Sequence, residues 1–267
     1  MRNNLFMILK SLINVFINKK YILFILILVA INSNIFSSDF FDYPISTIVI
    51  DAGHGGEDSG ALASYSFDEN ILEKDITLKV ALEVEKNVKK ALSNIRIIQT
   101  RDEDKYLSLQ TRSEKGYNYV LNDRSSSLYI SIHANSAANK DANGIEVFTK
   151  LENKVVSLFD ETTPIENLDL FVNEDLYTLN QKQYSSSINF ASTILDSVIS
   201  SIPTINNRGV KSEDLYVLNV CRTTACLVEI GFLSNEDEAK LLIDEDYQKK
   251  IAKAISDGIV SYIKNRR

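Results

Sequence analysis

Ser46–Ala61 reads STIVIDAGHGGEDSGA. Its first six residues form a β-branched, apolar strand, and the glycines after Asp51 let the backbone turn sharply where that strand ends. Such a strand, followed by a glycine-rich turn and then an amphipathic helix, opens a layered α/β domain with a largely parallel sheet. Glu73–Leu92 supplies the helix, placing Ile76, Val80, Val84 and Val88 on one face. Ile95–Thr100, Leu128–Ala134 (LYISIHA) and Gly144–Thr149 (GIEVFT) read as further strands. Ser185–Ile202 reads as a helix, Asp214–Val220 and Ala225–Ile230 as two strands, and Asp246–Lys264 as a closing helix with Ile251, Ile255, Ile259 and Ile263 along one side. The expectation is one α/β domain over residues 44–267, a central, mostly parallel twisted sheet flanked by helices. Residues 150–184 interrupt the pattern with a polar, acidic stretch that reads as an inserted excursion, either a lid or regulatory segment or a plain solvent-exposed connection.

The chain has 267 residues, 45% apolar and 24% charged, enough to bury a full core. Its net charge of -7 is spread rather than blocked, which excludes the clustered basic footprint of a nucleic-acid binder. The first 43 residues differ from the rest. Arg2, Lys10, Lys19 and Lys20 precede an uncharged run from Tyr21 to Ile31, and a polar segment follows, the order of a secretion signal. That run is shorter than the ~20 residues of a membrane-spanning helix, although continuing it through Phe36 keeps an uncleaved signal anchor as the alternative. A membrane association is expected only in that case, and the chain is expected to be exported to the periplasm or cell envelope and to act as a monomer. Cys221 and Cys226 are the only cysteines, too few for a disulfide framework or a zinc finger, and they read as small apolar residues on or near a buried strand.

The chain holds two histidines, His54 and His133, each at the carboxyl end of an expected strand. Ligands collect at that edge of an open α/β sheet because its loops face one crevice. Two imidazoles and one carboxylate form a recognised protein set for catalytic zinc, with a fourth position left open. Glu73 can supply the carboxylate from the start of the first helix, but spacing leaves Glu57, Asp58 and Glu69 as alternatives, and an acid in a first helical turn is favourable in its own right. Glu229 interrupts ACLVEIGF, where an ionised carboxylate is costly unless paired or functional. A structural ion pair with Arg208 or Arg222 is one explanation, and proton transfer as general base and acid is the other.

IVIDAGHGGEDSGA, LEKDITLKVALEVEK, TRDEDKYLSLQTR, LYISIHANSA, GIEVF, NNRGVKSEDLYVLNVCRTTACLVEIGFLSNEDEAKLL and YQKKIAKAISDGIVSYI follow one another in order from about Ile45 to Ile263. Together they resemble the zinc-dependent N-acetylmuramoyl-L-alanine amidases that hydrolyse bacterial peptidoglycan. The resemblance implies that His54, Glu73 and His133 are zinc ligands, with Zn2+ as cofactor, and that Glu229 is the catalytic acid and base. It implies hydrolysis of the amide joining the lactyl group of N-acetylmuramic acid to L-alanine, in cell-wall remodelling or daughter-cell separation. Ala52 and Thr224 stand where the family pattern has proline, and Asn135 where some relatives have aspartate. Residues 150–184 exceed the minimal connection, and in some relatives an insertion there covers the site until an activator protein displaces it. The rival expectations are a catalytically silent peptidoglycan-binding module and a zinc peptidase that cuts within the stem peptide.

Overall fold

A computed structural model describes residues 41, 43–117, 125–158 and 175–266. The expected leader therefore lies outside the described residues, apart from residues 41 and 43. So do residues 159–174 of the expected excursion. Among the described residues, no helix is long and apolar enough to cross a membrane.

The described strands are β1 (Ile45–Ala52), β2 (Leu62–Tyr65), β3 (Asp68–Leu72), β4 (Arg96–Gln99), β5 (Ser126–Asn135), β6 (Ile145–Thr149), β7 (Asn207–Ser212) and β8 (Thr224–Phe232). The helices are α1 (Glu73–Ala91), α2 (Leu109–Tyr117), α3 (Leu176–Ser201), α4 (Tyr216–Asn219), α5 (Glu236–Ile243) and α6 (Glu245–Asn265). Six strands form one sheet in the order β4-β1-β5-β8-β6-β7, and β2 and β3 form a separate antiparallel hairpin. The pairs β4-β1, β1-β5, β5-β8 and β6-β7 are parallel, and only β8-β6 is antiparallel. The expected α/β class and mostly parallel sheet are therefore present.

Period-two alternation sorts the strand residues into two layers. Ile48, Ile50, Leu128, Ile130, Ile132, Cys226, Val228 and Ile230 join the larger core, which also contains Val80 and Val84 of α1, Phe190 and Ile194 of α3 and Ile255 and Ile259 of α6. Val49, Tyr129, Ala225 and Leu227 face the other way and pack with Phe148, Val217, Leu218 and Cys221. The second layer is thinner. Farther along each strand, Asp51, His133 and Glu229 share the parity of that thinner face. Cys221 and Cys226 are buried free thiols, and burial pushes Cys221 up to about 12.

Several boundaries differ from those read in the sequence. Asp214–Val220 is not a strand: Leu215 accepts backbone N–H groups from Leu218 and Asn219 and the chain closes into α4. A short apolar run carries no period long enough to separate the two states. The edge strand lies just before it, in β7. Helix α3 starts at Leu176 rather than Ser185, because the Asp175 side chain accepts the Thr178 N–H. Residues 176–184 are thus helical rather than part of an excursion, and Leu158 is fully buried. The β2-β3 hairpin, α2 and α5 had no recognised sequence signal.

Candidate metal centre and its neighbours

Gly53 continues β1 by donating its N–H to Ile132 O at 3.0 Å, and His54 then adopts a φ of 59°. A non-glycine residue held in the left-handed region is strained, and its neighbours must enforce it. Here Asp58 and Glu73 hold the two imidazole nitrogens: Nδ1 lies 2.9 Å from Asp58 Oδ2 and Nε2 lies 3.0 Å from Glu73 Oε2. The β2-β3 hairpin returns the chain so that Glu73 begins α1 beneath the turn. Its Oε2 also accepts the Ala61 N–H at 2.8 Å, and its Oε1 accepts the Ala134 N–H at 3.1 Å. His133, at the end of β5, places Nδ1 2.9 Å from Glu73 Oε1. The two rings meet edge to face, 4.9 Å between centroids.

His54, Glu73 and His133 each present one donor atom, and these atoms lie within 4.8 Å of one another. Two nitrogens and one carboxylate oxygen at this spacing fit a small divalent ion. The surrounding backbone leaves no room for side chains. A Cβ on Gly53 would stand 2.5 Å from the His133 ring, and one on Gly60 would stand 2.5 Å from both Glu73 Oε2 and the His54 ring. Burial favours a neutral Glu73, but the hydrogen bonds and charges of His133 and His54 outweigh it and hold the carboxyl well below the usual range. Burial likewise lowers His54, yet Glu73 and Asp58 raise it overall. Of the other acids open to the metal role, Asp58 supports His54 through its second nitrogen, the arrangement that fixes a ligating ring. Glu57 and Glu69 are exposed and lie outside the cluster.

Glu229 lies across from His133 in the β5-β8 register and across from Glu146 in the β8-β6 register. Its Oε2 is shielded and has no hydrogen-bond partner among the described residues. Burial, then the charges of Glu73, Glu146 and Glu213, push its carboxyl well above the ordinary range. The ion pair considered for it does not form with Arg208, whose Nε binds Glu146 at 2.8 Å instead.

Sequence reading missed the polar support behind His133. Arg112 grips Asp51 through Nε and Nη2 at 2.8 and 2.7 Å, Ser131 donates to the same aspartate at 2.6 Å, and Arg112 Nη2 lies 3.4 Å from His133 Nε2. Burial alone would raise Asp51, but Arg112 and Ser131 drive it strongly down. A charge ending the apolar strand STIVID was the available signal. Asn135 donates to Glu146 Oε1 at 2.7 Å and so is turned toward that acid.

The family profile described as N-acetylmuramoyl-L-alanine amidase matches residues 48–261. The chain belongs to this amidase family. It is 32% identical over 216 residues to the uncharacterised protein YqiI of Bacillus subtilis, covering 81% of this chain and 84% of that one. It is 29% identical to LytH of Staphylococcus aureus, a probable cell wall amidase, over 81% of this chain and only 58% of LytH. The CwlD amidase of Clostridioides difficile, solved in complex with the GerS lipoprotein, superposes with a TM-score of 0.63 at 30% identity, covering 82% of this chain and 99% of that one. The amidase thus shares sequence with a probable cell wall amidase and both sequence and architecture with the CwlD amidase.

Proposed function

We propose that this amidase hydrolyses the bond between N-acetylmuramic acid and L-alanine in peptidoglycan with a zinc ion held by His54, Glu73 and His133. The observation that carries the reading is the convergence of those three donors one strand away from Glu229, whose Oε2 is shielded and has no hydrogen-bond partner among the described residues. When bound, zinc supplies Lewis acidity toward the scissile carbonyl and the attacking water. Glu229 takes the proton from that water. Glu229 then hands that proton to the L-alanine nitrogen as the C–N bond breaks, so that a neutral amine leaves. Asp58 fixes the orientation of His54, while Arg112, locked by Asp51, stands behind His133.

Replacing Glu229 with Gln preserves size and removes the base. Zinc content is expected to stay at the wild-type level while release of stem peptides from purified sacculi falls by about 100-fold or more. Wild-type rates in Glu229→Gln would refute this assignment, and product masses showing cleavage inside the stem would replace the amidase by a peptidase. The basic-then-apolar order of the first 43 residues, read as a leader, supports export to the periplasm or cell envelope, where peptidoglycan lies, for wall remodelling or daughter-cell separation. The complex of CwlD with the GerS lipoprotein supports a protein partner for this amidase too.

A further inference from the structure

The edge strand carries two cations to the site by an irregularity in its pairing. β7 pairs with β6 as Ile145–Asn207 and then as Val147–Val210, so β7 contains one extra residue between those positions. In an unbroken strand Arg208 and Lys211 would face opposite sides of the sheet. The extra residue, with Gly209 at a φ of 87°, brings both to the face of Glu146. Arg208 Nε donates to Glu146 Oε2 at 2.8 Å, Lys211 Nζ donates to the same oxygen, and Asn135 Nδ2 donates to Oε1 at 2.7 Å. Glu146 directly opposes Glu229 in the sheet.

Two cations share one buried carboxylate, so Arg208 and Lys211 together carry one positive charge more than Glu146 neutralises. Glu238 accepts the N–H groups of Phe232 and Gly144 and makes no hydrogen bond to Arg208 among the described residues, and Glu213 is exposed. The Arg208 guanidinium also lies 4.8 Å over the Phe232 ring, three residues past Glu229. It is thereby pinned at Nε and along one face. Among the described residues neither Nη1 nor Nη2 has a hydrogen-bond partner, and the side chain is 31% exposed. A guanidinium held this way presents a planar, two-pronged donor to a carboxylate.

We propose that Arg208, assisted by Lys211, binds a free carboxylate of the stem peptide on the leaving-group side of the scissile amide. The inference rests on the amidase reading and extends it to specificity: a stem whose second residue keeps its free α-carboxylate is preferred over one carrying a carboxamide there. The amide lacks the charge and offers one acceptor oxygen instead of two.

Two synthetic muramoyl peptides differing only in that carboxylate or carboxamide test this with the zinc-loaded full chain, as wild type, Arg208→Gln, Arg208→Lys and Lys211→Gln. The wild type is expected to show a KM about tenfold or more lower for the carboxylate, with kcat little changed. Arg208→Gln is expected to erase that difference by raising KM for the carboxylate substrate alone, and Arg208→Lys to restore part of it. Equal KM values in the wild type, or losses common to both substrates in the folded variants, overturn the proposal. If Arg208→Gln does not fold, the wild-type comparison and Lys211→Gln decide it. A wild type that cleaves neither peptide and no sacculus overturns the amidase reading itself, whereas cleavage without discrimination overturns only the carboxylate subsite.

Discussion

Asp51 never reaches the cluster of candidate metal ligands, yet it holds the group behind one of them. It is fully buried, and its two oxygens are taken by Arg112 and Ser131. Replacing one member of such a pair strands the other charge in a low dielectric, which costs about 3–5 kcal/mol. Asp51→Asn is therefore expected to lower unfolding stability by that amount in urea titrations, and a loss within about 0.5 kcal/mol would show that the pair is not a structural anchor. At the same scale His54 and His133 were legible as the chain's two histidines at strand ends. Glu229 was legible as a charge in an apolar run. Glu73 was not separable from Glu57, Asp58 and Glu69 until the hairpin put it under both imidazoles.

Among the elements, the segment after β6 shows how a polar stretch is tied to the core. Lys150 is 3% exposed, and its Nζ donates to Asn180 Oδ1 on α3 at 2.8 Å and to Lys154 O at 2.9 Å. Burial lowers its pKa to about 8, against roughly 10.4 for a lysine in the unfolded chain. Below pH 8 both states are protonated and the folded state carries the full cost of a buried charge. As pH rises from about 8 toward 10.4 the unfolded chain binds more protons than the folded one, so stability increases. The wild type is therefore expected to gain about 3 kcal/mol relative to Lys150→Met across that window, measured by urea unfolding at several pH values. A difference independent of pH would remove the buried ammonium from the account. Helix α3 itself was half legible: Phe190, Ile194 and Val198 gave its later turns a pattern, while its capped first turns carry Asn180 and Gln183, buried polar residues that break the apolar period.

At the scale of the whole molecule, the helical layer of α1, α3 and α6 covers one face of the sheet, and the candidate site lies at its edge, where β1 and β5 end and α1 begins. A metal ligated from the turn after β1, from α1 and from β5 joins three separate stretches of chain, so its binding belongs to the folded state alone. Chelated protein titrated with zinc is expected to gain about 2.7 kcal/mol of stability at a free concentration of 100 Kd. His54→Ala is expected to lose most of that gain. A zinc-dependent shift of equal size in His54→Ala would refute the ligand set.

Sequence by itself determined the layered class, the approximate places of most central strands and the residue types that can hold a metal. Those features are local: β-branched runs, a glycine turn after a strand and a helical period are all written within a few neighbouring positions. Spacing left four acids open and only the family resemblance singled out Glu73, which the fold then brought under both imidazoles; tertiary structure alone decided that Arg208 serves Glu146 rather than Glu229 and that Asp214–Val220 turns into a helix. The Arg208 pairing depends on strand register, where one extra residue in β7 changes which side chains share a face, and a register is set by partners far away along the chain.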